Sequence, residues 1–368
     1  MTINFFLQSN DFGGAEQFAI DLITTMAIKK QQVALYTNNL YLLKKLKNKK
    51  LINLHRIPIY LDFAGNYRGL IKSILLLPFA TFSYLKILYK ISQRTDKQII
   101  LYSGFSEKIM PGAMAKLFKL PIYFIEYGPL DPLFKKLFGI PKILCFLNKN
   151  CAQKIIVPSQ NTKRALQNIF NQKKIVLIPC GTKTIKTKKQ INTKNRIITV
   201  VSRLEKGKGQ DLLIQAFALV KKEIANVQLQ IIGQGNFYHQ LKKLAKNDKQ
   251  ITFLQHVENK QELLEKSEVI ICPSVWPLEG FGLTIIEAMA LEKPIVAFDR
   301  APGNELLANK YNALLARDQD CLDLAQKIIQ LLKNKELQKT LASNAKNTFI
   351  KKYEISTITQ KYLDLFEN

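Results

Sequence analysis

A short apolar run, a glycine-containing loop and a helix-like stretch follow one another in Val269-Ile-Ile-Cys-Pro-Ser-Val-Trp-Pro-Leu-Glu-Gly-Phe-Gly-Leu-Thr-Ile-Ile-Glu-Ala-Met-Ala290. The apolar run is typical of a buried strand ending near Cys272, and the apolar spacing after Gly282 predicts a helix. A second apolar run, Ile295–Phe298, comes shortly afterwards. Because a strand, a helix and a strand in this order form the βαβ unit of a parallel sheet, the segment predicts an α/β fold.

The same alternation of short apolar runs and longer amphipathic stretches covers most of the chain. The other strand-like runs are Ile3–Leu7, Val33–Tyr36, Ile99–Tyr102, Ile122–Ile125, Ile197–Val201, Val227–Ile232 and Ile251–Leu254. The pattern stops in residues 182–195, which are polar, charged and without apolar periodicity. We therefore expect a linker there, between two doubly wound, Rossmann-like lobes at 1–181 and 196–350 that face a central cleft, and a C-terminal helix in 351–368 that could pack back on the first lobe.

Composition narrows the class of protein. At 368 residues with 47% hydrophobic content, the chain is long and apolar enough for two folded domains. Its five cysteines lie far apart without CxxC spacing, which argues against a disulfide framework or a zinc site. Three histidines leave little material for a catalytic triad or a histidine-rich metal site. The N-terminus lacks the basic region of a signal peptide, so we expect a cytoplasmic protein.

The net charge of +27 is distributed unevenly. Residues 1–181 hold 26 basic and 8 acidic side chains, whereas residues 182–368 hold 29 and 20. Such an excess suits a polyanionic partner, either nucleic acid or an anionic membrane surface, although a lysine-rich surface without a partner is also consistent with it. Residues 67–90 are strongly apolar with interspersed Arg and Lys, and their run is expected to be too short to span a bilayer. They predict either an amphipathic surface in the lipid interface or a buried helix pair broken at Pro78.

Two acids flank the glycines of the opening segment. In an open α/β sheet, ligands bind where a strand leads through a loop into a helix. Gly280 and Gly282 allow close backbone approach, and the N–H groups of the first helical turn suit a phosphate. Glu279 in the loop and Glu287 one to two turns into the helix could then accept hydrogen bonds from hydroxyls at the two ends of a nucleotide-sugar. Without further context, a solvated loop acid and an incidental helix acid are the favoured explanation of the pair.

A second strand, loop and helix supply positive charge. In Val201-Ser-Arg-Leu-Glu-Lys-Gly-Lys208-Gly209, the side chains of Arg203 and Lys208 could neutralise a departing diphosphate. The spacing is not that of a Walker A loop, which argues against an ATPase. Gly14 and Gly233 lie in two further glycine-containing strand-to-helix turns, each weak as a signal alone.

Taken together, these segments resemble the retaining glycosyltransferases of family 4, which have the GT-B fold. The similarity extends over essentially the whole chain and is strongest in residues 196–307. The resemblance implies that Glu279 contacts the hydroxyls of the donor sugar and Glu287 the ribose, and that Arg203 and Lys208 hold the diphosphate. It also implies that Gly14 approaches the donor phosphate or the acceptor.

The resemblance implies further donor contacts. These are made by Gly233, Gly280, Phe281, Gly282 and Leu283. Many members carry a histidine after the strand that corresponds to Ile122–Ile125, whereas this chain has Glu126 and Tyr127, so the sugar-side contact passes to one of these or is missing. The one DxD sequence, Asp318-Gln-Asp320, precedes an amphipathic helix and is interpreted as a helix cap, so no metal and no cofactor are expected.

The expected activity is metal-independent, retaining transfer of a sugar from a UDP- or GDP-sugar to a hydroxyl of a lipid-linked or saccharide acceptor. Cell-surface polysaccharide, lipopolysaccharide or glycolipid synthesis fits such a reaction. The expected location is the cytoplasm, peripherally on the anionic inner face of the membrane, and nucleic acid is not an expected partner. The alternatives are a nucleotide-sugar epimerase or phosphorylase of the same fold, a basic nucleic-acid-binding protein, and a donor-binding protein without activity.

Overall fold

A computed structural model describes residues 1–9, 12–185, 196–255, 257 and 259–367. Its contacts divide the chain into two compact units. The N-terminal unit consists of Met1–Cys180 together with Ile358–Asn368, and the C-terminal unit consists of Gly181–Thr357. The predicted linker at 182–195 falls mainly outside the described residues.

The N-terminal unit has one parallel sheet with helices between its strands. The strands are β1 (Thr2–Phe6), β2 (Gln32–Thr37), β3 (Ile52–Arg56), β4 (Gln98–Tyr102), β5 (Ile122–Ile125), β6 (Lys154–Val157) and β7 (Ile175–Leu177). The helices are α1 (Gly14–Ile28), α2 (Leu40–Leu46), α3 (Tyr67–Ser92), α4 (Phe105–Leu117), α5 (Asp131–Phe134), α6 (Ile140–Asn148) and α7 (Gln160–Leu166). The strand order is β3-β2-β1-β4-β5-β6-β7, so the chain reverses its direction of winding between β1 and β4.

Helices cover both faces of this sheet, which explains why its strands are almost continuously apolar. On one face, Phe6, Tyr102 and Phe124 pack with buried residues of α3, α4 and α6. Side chains alternate along a strand, so Tyr123 points to the opposite face, where its ring contacts Phe366 at a centroid distance of 4.8 Å.

Helix α3 is a single helix of 26 residues that continues through Pro78. The interpretation of residues 67–90 as a helix pair broken at this proline is therefore wrong. Pro78 is exposed, so the carbonyl that its missing N–H group leaves unpaired can be solvated. The expectation that the run is too short is also wrong, because α3 is long and apolar enough to cross a membrane by length and composition alone.

The C-terminal unit repeats the architecture. Its strands are β8 (Arg196–Val201), β9 (Val227–Ile232), β10 (Ile251–Leu254), β11 (Val269–Cys272), β12 (Ile295–Phe298) and β13 (Leu314–Ala316). Its helices are α8 (Gln210–Glu223), α9 (Tyr238–Leu244), α10 (Lys260–Lys266), α11 (Leu283–Ala290), α12 (Gly303–Leu306), α13 (Cys321–Lys333) and α14 (Lys335–Lys352). The strands are parallel in the order β10-β9-β8-β11-β12-β13, so the chain again reverses its direction of winding, here between β8 and β11. The predicted organisation, two doubly wound Rossmann-like α/β domains, is confirmed.

The last helix, α15 (Ile355–Glu367), begins in the C-terminal unit and ends in the N-terminal unit. The N–H group of Ile355 donates to the carbonyl of Thr182 over 2.9 Å, next to the point where the chain first enters the C-terminal unit. Further along, the ring of Tyr362 lies 6.4 Å from that of Phe18 in α1. The C-terminal segment thus packs on the first lobe.

Candidate functional site

The predicted site residues of the C-terminal unit meet at the carboxyl end of its sheet. Strands β8 and β11 are neighbours, and the sheet changes its direction of winding between them. The loop after β8 carries Arg203 and Lys208, and the loop after β11 carries Glu279. A crevice outside the carboxyl ends of strands at such a switch point is where open α/β sheets bind ligands.

Glycines let the two loops touch. Gly209 has φ of 77°, in the left-handed region, and a Cβ at this position would lie 1.8 Å from the carbonyl oxygen of Pro273. The N–H group of Val275 donates to the carbonyl of Gly207 over 2.9 Å, so the loops are also joined by their backbones. The Lys-Gly-Lys-Gly sequence is therefore needed for close backbone approach, and it does more than form an exposed basic turn.

Lys208 and Glu279 form an ion pair at this junction. The Nζ atom of Lys208 donates to Oε2 of Glu279 over 2.6 Å, and the hydroxyl of Ser274 donates to the same oxygen over 2.9 Å. The lysine side chain is 9% exposed and the glutamate 27%, so the carboxylate is the more open of the two. The ring of Trp276 lies 5.3 Å from Nζ and adds a cation–π contact. These contacts fix the lysine, and the side chain of Glu279 remains partly accessible.

Helix α11 begins beside this pair. Gly282 occupies the N-cap position with φ of 104°, and it offers no side chain that could cap the first turn. The hydroxyl of Thr284 donates to the carbonyl of Val201 over 3.2 Å, which attaches the helix start to the end of β8. Phe281 is buried, and Leu283 is half-buried in the first turn. The first turn is thus held in place with its N–H groups at the carboxyl end of the sheet, where an anion would be stabilised.

The second acid, Glu287, is also paired with a lysine. Nζ of Lys260 donates to its two carboxylate oxygens over 2.6 and 2.8 Å. Glu287 is 16% exposed and Lys260 42%, so the lysine is the partner that can move away. Burial and the two carboxylates, Glu279 and Glu287, together raise the pKa of the Cys272 thiol to about 12. This thiol therefore stays protonated and unreactive at neutral pH.

Arg203 and Gly233 lie on the β8 side of the site. The guanidinium of Arg203 is largely exposed and donates to Glu205 over 2.8 Å. Gly233, with φ of 147°, follows β9, and a Cβ there would lie 1.9 Å from the carbonyl oxygen of Ser202. Among the predicted cations, Lys208 is therefore preorganised by its contacts, whereas Arg203 keeps the freedom of an exposed side chain.

The remaining predicted residues lie in the N-terminal unit. Gly14 is the first residue of α1 and follows Gly13, whose N–H group donates to Glu16 over 2.8 Å. Tyr127 is half-buried, and its hydroxyl accepts a hydrogen bond from Ser103 over 3.1 Å. The carboxylate of Glu126 is buried and lies 3.0 Å from Nζ of Lys108. Of the two candidates for the sugar-side contact, Tyr127 is thus the more accessible.

A buried acid that the sequence analysis did not identify joins the loops of this unit. Glu107 in α4 accepts hydrogen bonds from the N–H groups of Gln8, after β1, and Gly104, after β4. Burial raises its pKa to about 7, against the lowering effect of these N–H groups. Glu107 thereby holds together the two loops at the position where this sheet reverses its winding.

The DxD sequence is engaged in local structure. The Asp320 side chain caps α13 by accepting the N–H group of Asp323 over 2.9 Å, and Asp318 pairs with Arg300 over 2.7 Å. The interpretation of this sequence as a helix cap is confirmed.

Three side chains that contact the predicted site residues were not predicted: Ser274 and Lys260 contact the two acids, and Trp276 contacts Lys208. Ser274 and Trp276 lie inside the opening segment, and their position between a strand and a glycine loop was a usable signal. Lys260 lies 27 residues before Glu287, and no local pattern links them. Such a contact depends on the tertiary arrangement of α10 beside α11.

The family model of glycosyl transferases group 1 matches residues 181–348, which include every site residue of the C-terminal unit. An uncharacterized glycosyltransferase of Methanocaldococcus jannaschii is 31% identical over 262 residues, which cover 63% of this chain and 69% of that protein. The chain belongs to the group 1 glycosyl transferases.

This glycosyltransferase chain is also 31% identical over 225 residues to the poly(ribitol-phosphate) alpha-N-acetylglucosaminyltransferase of Staphylococcus aureus. The match covers 60% of this chain and 45% of that protein, so the chain spans about half the length of this relative. The fold is that of the Anabaena protein HepE, solved in complex with UDP and glucose, with a TM-score of 0.81. There the identity is 20%, and the alignment covers 100% of this chain and 99% of HepE.

Proposed function

We propose that the chain is a retaining glycosyltransferase of family 4 type that transfers a sugar from a UDP-sugar to a hydroxyl acceptor without a metal ion. The observation that carries the proposal is the Lys208–Glu279 pair beside the start of α11, at the switch point of the C-terminal sheet. The site joins a cation, a partly open carboxylate and a helix N-terminus, which match the diphosphate and the hydroxyls of a nucleotide-sugar.

The diphosphate of the donor is assigned to Lys208, Arg203 and the first turn of α11. Lys208 is already held by Glu279, whose carboxylate also accepts from Ser274, and the ring of Trp276 lies against its ammonium group. Lys208 therefore needs little reorganisation when charge develops on the leaving group. Arg203 is assigned the role of an adjustable second cation that exchanges Glu205 for phosphate. Fixed positive charge of this kind can replace a divalent ion.

The two acids bind hydroxyls. Glu279 accepts hydrogen bonds from the sugar, since its carboxylate keeps accessible surface beside Lys208. Glu287 accepts hydrogen bonds from the ribose after Lys260, the more exposed partner, moves away. The backbone at Gly233 approaches that of Ser202 closely, and Gly282 carries no side chain, which leaves room for the nucleoside and the diphosphate.

Retention follows if the acceptor hydroxyl attacks the anomeric carbon from the face that the diphosphate leaves. The bond from carbon to phosphate oxygen breaks as the new glycosidic bond forms, and the acceptor proton passes to a phosphate oxygen of the departing UDP. No protein nucleophile is then required, and positioning with charge stabilisation carries the catalysis. The acceptor is assigned to the class of lipid-linked or saccharide hydroxyls of cell-surface glycan synthesis. Support for this class comes from the Staphylococcus aureus relative, whose name specifies poly(ribitol-phosphate).

A nucleotide-sugar screen tests the proposal. We expect release of UDP from one UDP-sugar, with activity unchanged in EDTA and a product of unchanged anomeric configuration by NMR. Glu279→Gln should lower kcat/KM by about 100-fold in protein that circular dichroism shows to be folded, because a group that holds the reacting sugar is altered. The matched control is Glu292→Gln, an exposed acid just after α11 that should keep full activity.

Several outcomes would defeat the proposal. Complete loss of activity in EDTA with recovery in manganese would exclude metal independence, and an inverted product would exclude retention. Product formation without any second acceptor would favour an epimerase or phosphorylase. Turnover of a GDP-sugar in place of UDP-sugars would change the assigned nucleotide.

A further inference from the structure

The N-terminal unit exposes an extended apolar surface on α3. Its exposed apolar side chains are Tyr67, Ile71, Ile74, Leu75, Phe79, Phe82 and Tyr89, called here the α3 face. Phe82 alone is 71% exposed, and only 22% of the most apolar window of the helix is buried. Isolated apolar residues are common on surfaces, but a contiguous set of large ones marks an interaction site.

Basic side chains border the α3 face along one edge. Successive residues of an α-helix are rotated by about 100° around its axis. On that basis six members of the α3 face lie within an arc of about 100° of the helix surface, and Phe79 and four basic residues lie at one end of this arc. The basic residues, called here the basic edge, are Arg68, Lys72, Lys86 and Lys90. Helix α3 contains no acidic residue. An apolar stripe with a cationic border and no acidic residue is complementary to acyl chains beneath anionic headgroups.

The opposite side of α3 attaches it to the protein along its length. Leu70, Tyr84 and Ile91 are buried, and the hydroxyl of Tyr84 accepts a hydrogen bond from Gln8 over 2.7 Å. Leaving the unit would expose these residues and break that contact. Helix α3 is therefore suited to lie in the plane of a membrane surface and not to cross it.

Neighbouring elements extend the apolar surface. Helix α4 packs against both α3 and α6, and α6 exposes Ile143 and Leu147 beside the exposed cation Lys142. Phe138, which precedes α6, is 90% exposed, and its ring lies 5.7 Å from that of Tyr67. Its φ of 53° lies in the left-handed region, which an aromatic residue adopts only at a conformational cost. A strained backbone that exposes an aromatic ring is expected where the ring has a partner.

One end of this surface reaches the carboxyl edge of the N-terminal sheet. The N–H group of Phe63, just before α3, donates over 3.2 Å to the hydroxyl of Ser106 in the first turn of α4. That turn follows β4, and Tyr127 after β5 hydrogen-bonds to Ser103 at the same edge. An acceptor carried on a membrane lipid would thus enter this edge from the side of Tyr67 and Phe138.

We infer that the α3 face and its basic edge dock the N-terminal unit on an anionic bilayer surface, with α3 lying in the interface, and so present a lipid-borne acceptor to the carboxyl edge of the sheet. This inference rests on the proposed function for the identity of the acceptor. The docking itself depends only on the surface of the N-terminal unit.

Sedimentation of the full chain with vesicles tests the docking. Vesicles of phosphatidylcholine with about 30% phosphatidylglycerol should bind the protein at low salt, and pure phosphatidylcholine should bind it at least about tenfold less. Leu75→Glu with Phe82→Glu should lower binding to anionic vesicles by at least about tenfold, since two charges enter the apolar stripe. The matched control is Leu322→Glu with Ile350→Glu, two exposed apolar residues of the C-terminal unit, which should bind normally.

The electrostatic contribution of the basic edge to membrane binding is tested by a second variant and its control. Neutralising the basic edge by four Lys or Arg→Gln changes should weaken binding and reduce its salt dependence. Four exposed lysines of the C-terminal unit, changed to Gln with the same loss of charge, provide the control; these are Lys222, Lys243, Lys351 and Lys352. Equal losses in both sets would show that net charge alone drives binding and would overturn the assigned surface.

Three further results would contradict the inference. These are failure to bind anionic vesicles, resistance of bound protein to alkaline carbonate, which indicates a spanning helix, and a dimer in sedimentation velocity that Leu75→Glu with Phe82→Glu dissociates. UDP binding is measured on the same samples and should be equal in all variants. Absence of UDP binding in the wild-type chain would count against the proposed function and leave the docking result standing.

Discussion

At the scale of single residues, the site depends on the ion pair between Lys208 and Glu279. The lysine is nearly buried and contacts Glu279 and Trp276, and the hydroxyl of Ser274 donates to the same oxygen of Glu279. Burying a charge is costly unless it is paired, so the pair must persist or be replaced by a ligand of matching charge. This requirement explains why a lysine and an acid from separate loops meet at one helix start.

The left-handed glycine between the loops provides a prediction on stability. Gly209→Ala should lower the free energy of unfolding of the C-terminal unit by about 2–4 kcal/mol, because a methyl group would meet the Pro273 carbonyl and the backbone would be strained. Urea unfolding followed by circular dichroism measures the loss. Gly303→Ala is the control, since its Cβ would meet only Ile285 Cδ1 at an ordinary 3.6 Å. Equal stability of the two variants would contradict the close approach of the loops.

The site residues differ in how far the sequence could reveal them. Arg203, Lys208 and Glu279 lie in the loops that follow β8 and β11, and Glu287 lies in the helix that follows the second loop. Their meeting at one sheet edge could therefore be predicted from local pattern. The pairing of Glu287 with Lys260 could not, because it depends on how α10 lies beside α11. The buried orientation of Glu126 likewise depends on Lys108, a residue of another element.

At the scale of elements, Glu268 joins three of them. It precedes β11 and accepts hydrogen bonds from Arg196 at the start of β8 and from Lys335 in α14, each over 2.6 Å. Burial alone would raise the pKa of its carboxyl, but these hydrogen bonds and that from Gln338 lower the pKa to about 2. The two central strands and the penultimate helix are thereby joined at the amino end of the sheet.

This network predicts an acid-sensitive contribution to stability. A folded-state pKa below the unfolded value stabilises the fold above about pH 4.5, and the contribution disappears as the pH falls towards 2. Glu268→Gln should therefore cost about 2 kcal/mol at pH 7 and progressively less in acid. Urea unfolding of the wild type and the variant between pH 3 and about 7 measures the difference. A difference that does not depend on pH would contradict the assigned pKa.

The elements themselves illustrate what a sequence pattern can and cannot resolve. Nine of the strands were predictable because both faces of each sheet are covered, which makes such a strand a short apolar run. Strands β3, β6, β7 and β13 were not predicted. Helix α3 was ambiguous, because an apolar stretch with Pro78 fits a broken pair as well as one helix. Its continuity follows from the packing of its other side on α4 and the sheet, which the sequence does not display.

At the scale of the whole molecule, the chain has two Rossmann-like units with different charge and different surfaces. Lys208, Arg203, Glu279 and Glu287, to which the donor is assigned by proposal, belong to the C-terminal unit, and the larger positive charge and the α3 face belong to the N-terminal unit. The division could be predicted from the polar segment at 182–195. The expectation from the sequence was a C-terminal helix in 351–368 that could pack back on the first lobe, and α15 passes from the C-terminal unit into the N-terminal unit.

The chain contains one tryptophan, Trp276, and it lies 5.3 Å from Nζ of Lys208. Its fluorescence therefore reports directly on the proposed diphosphate site. Titration of the full chain with UDP should produce a saturable change in this fluorescence, and Lys208→Met should weaken UDP binding by at least about tenfold at unchanged melting temperature. Absence of a saturable change in the wild type, or equal affinity in Lys208→Met, would contradict the account.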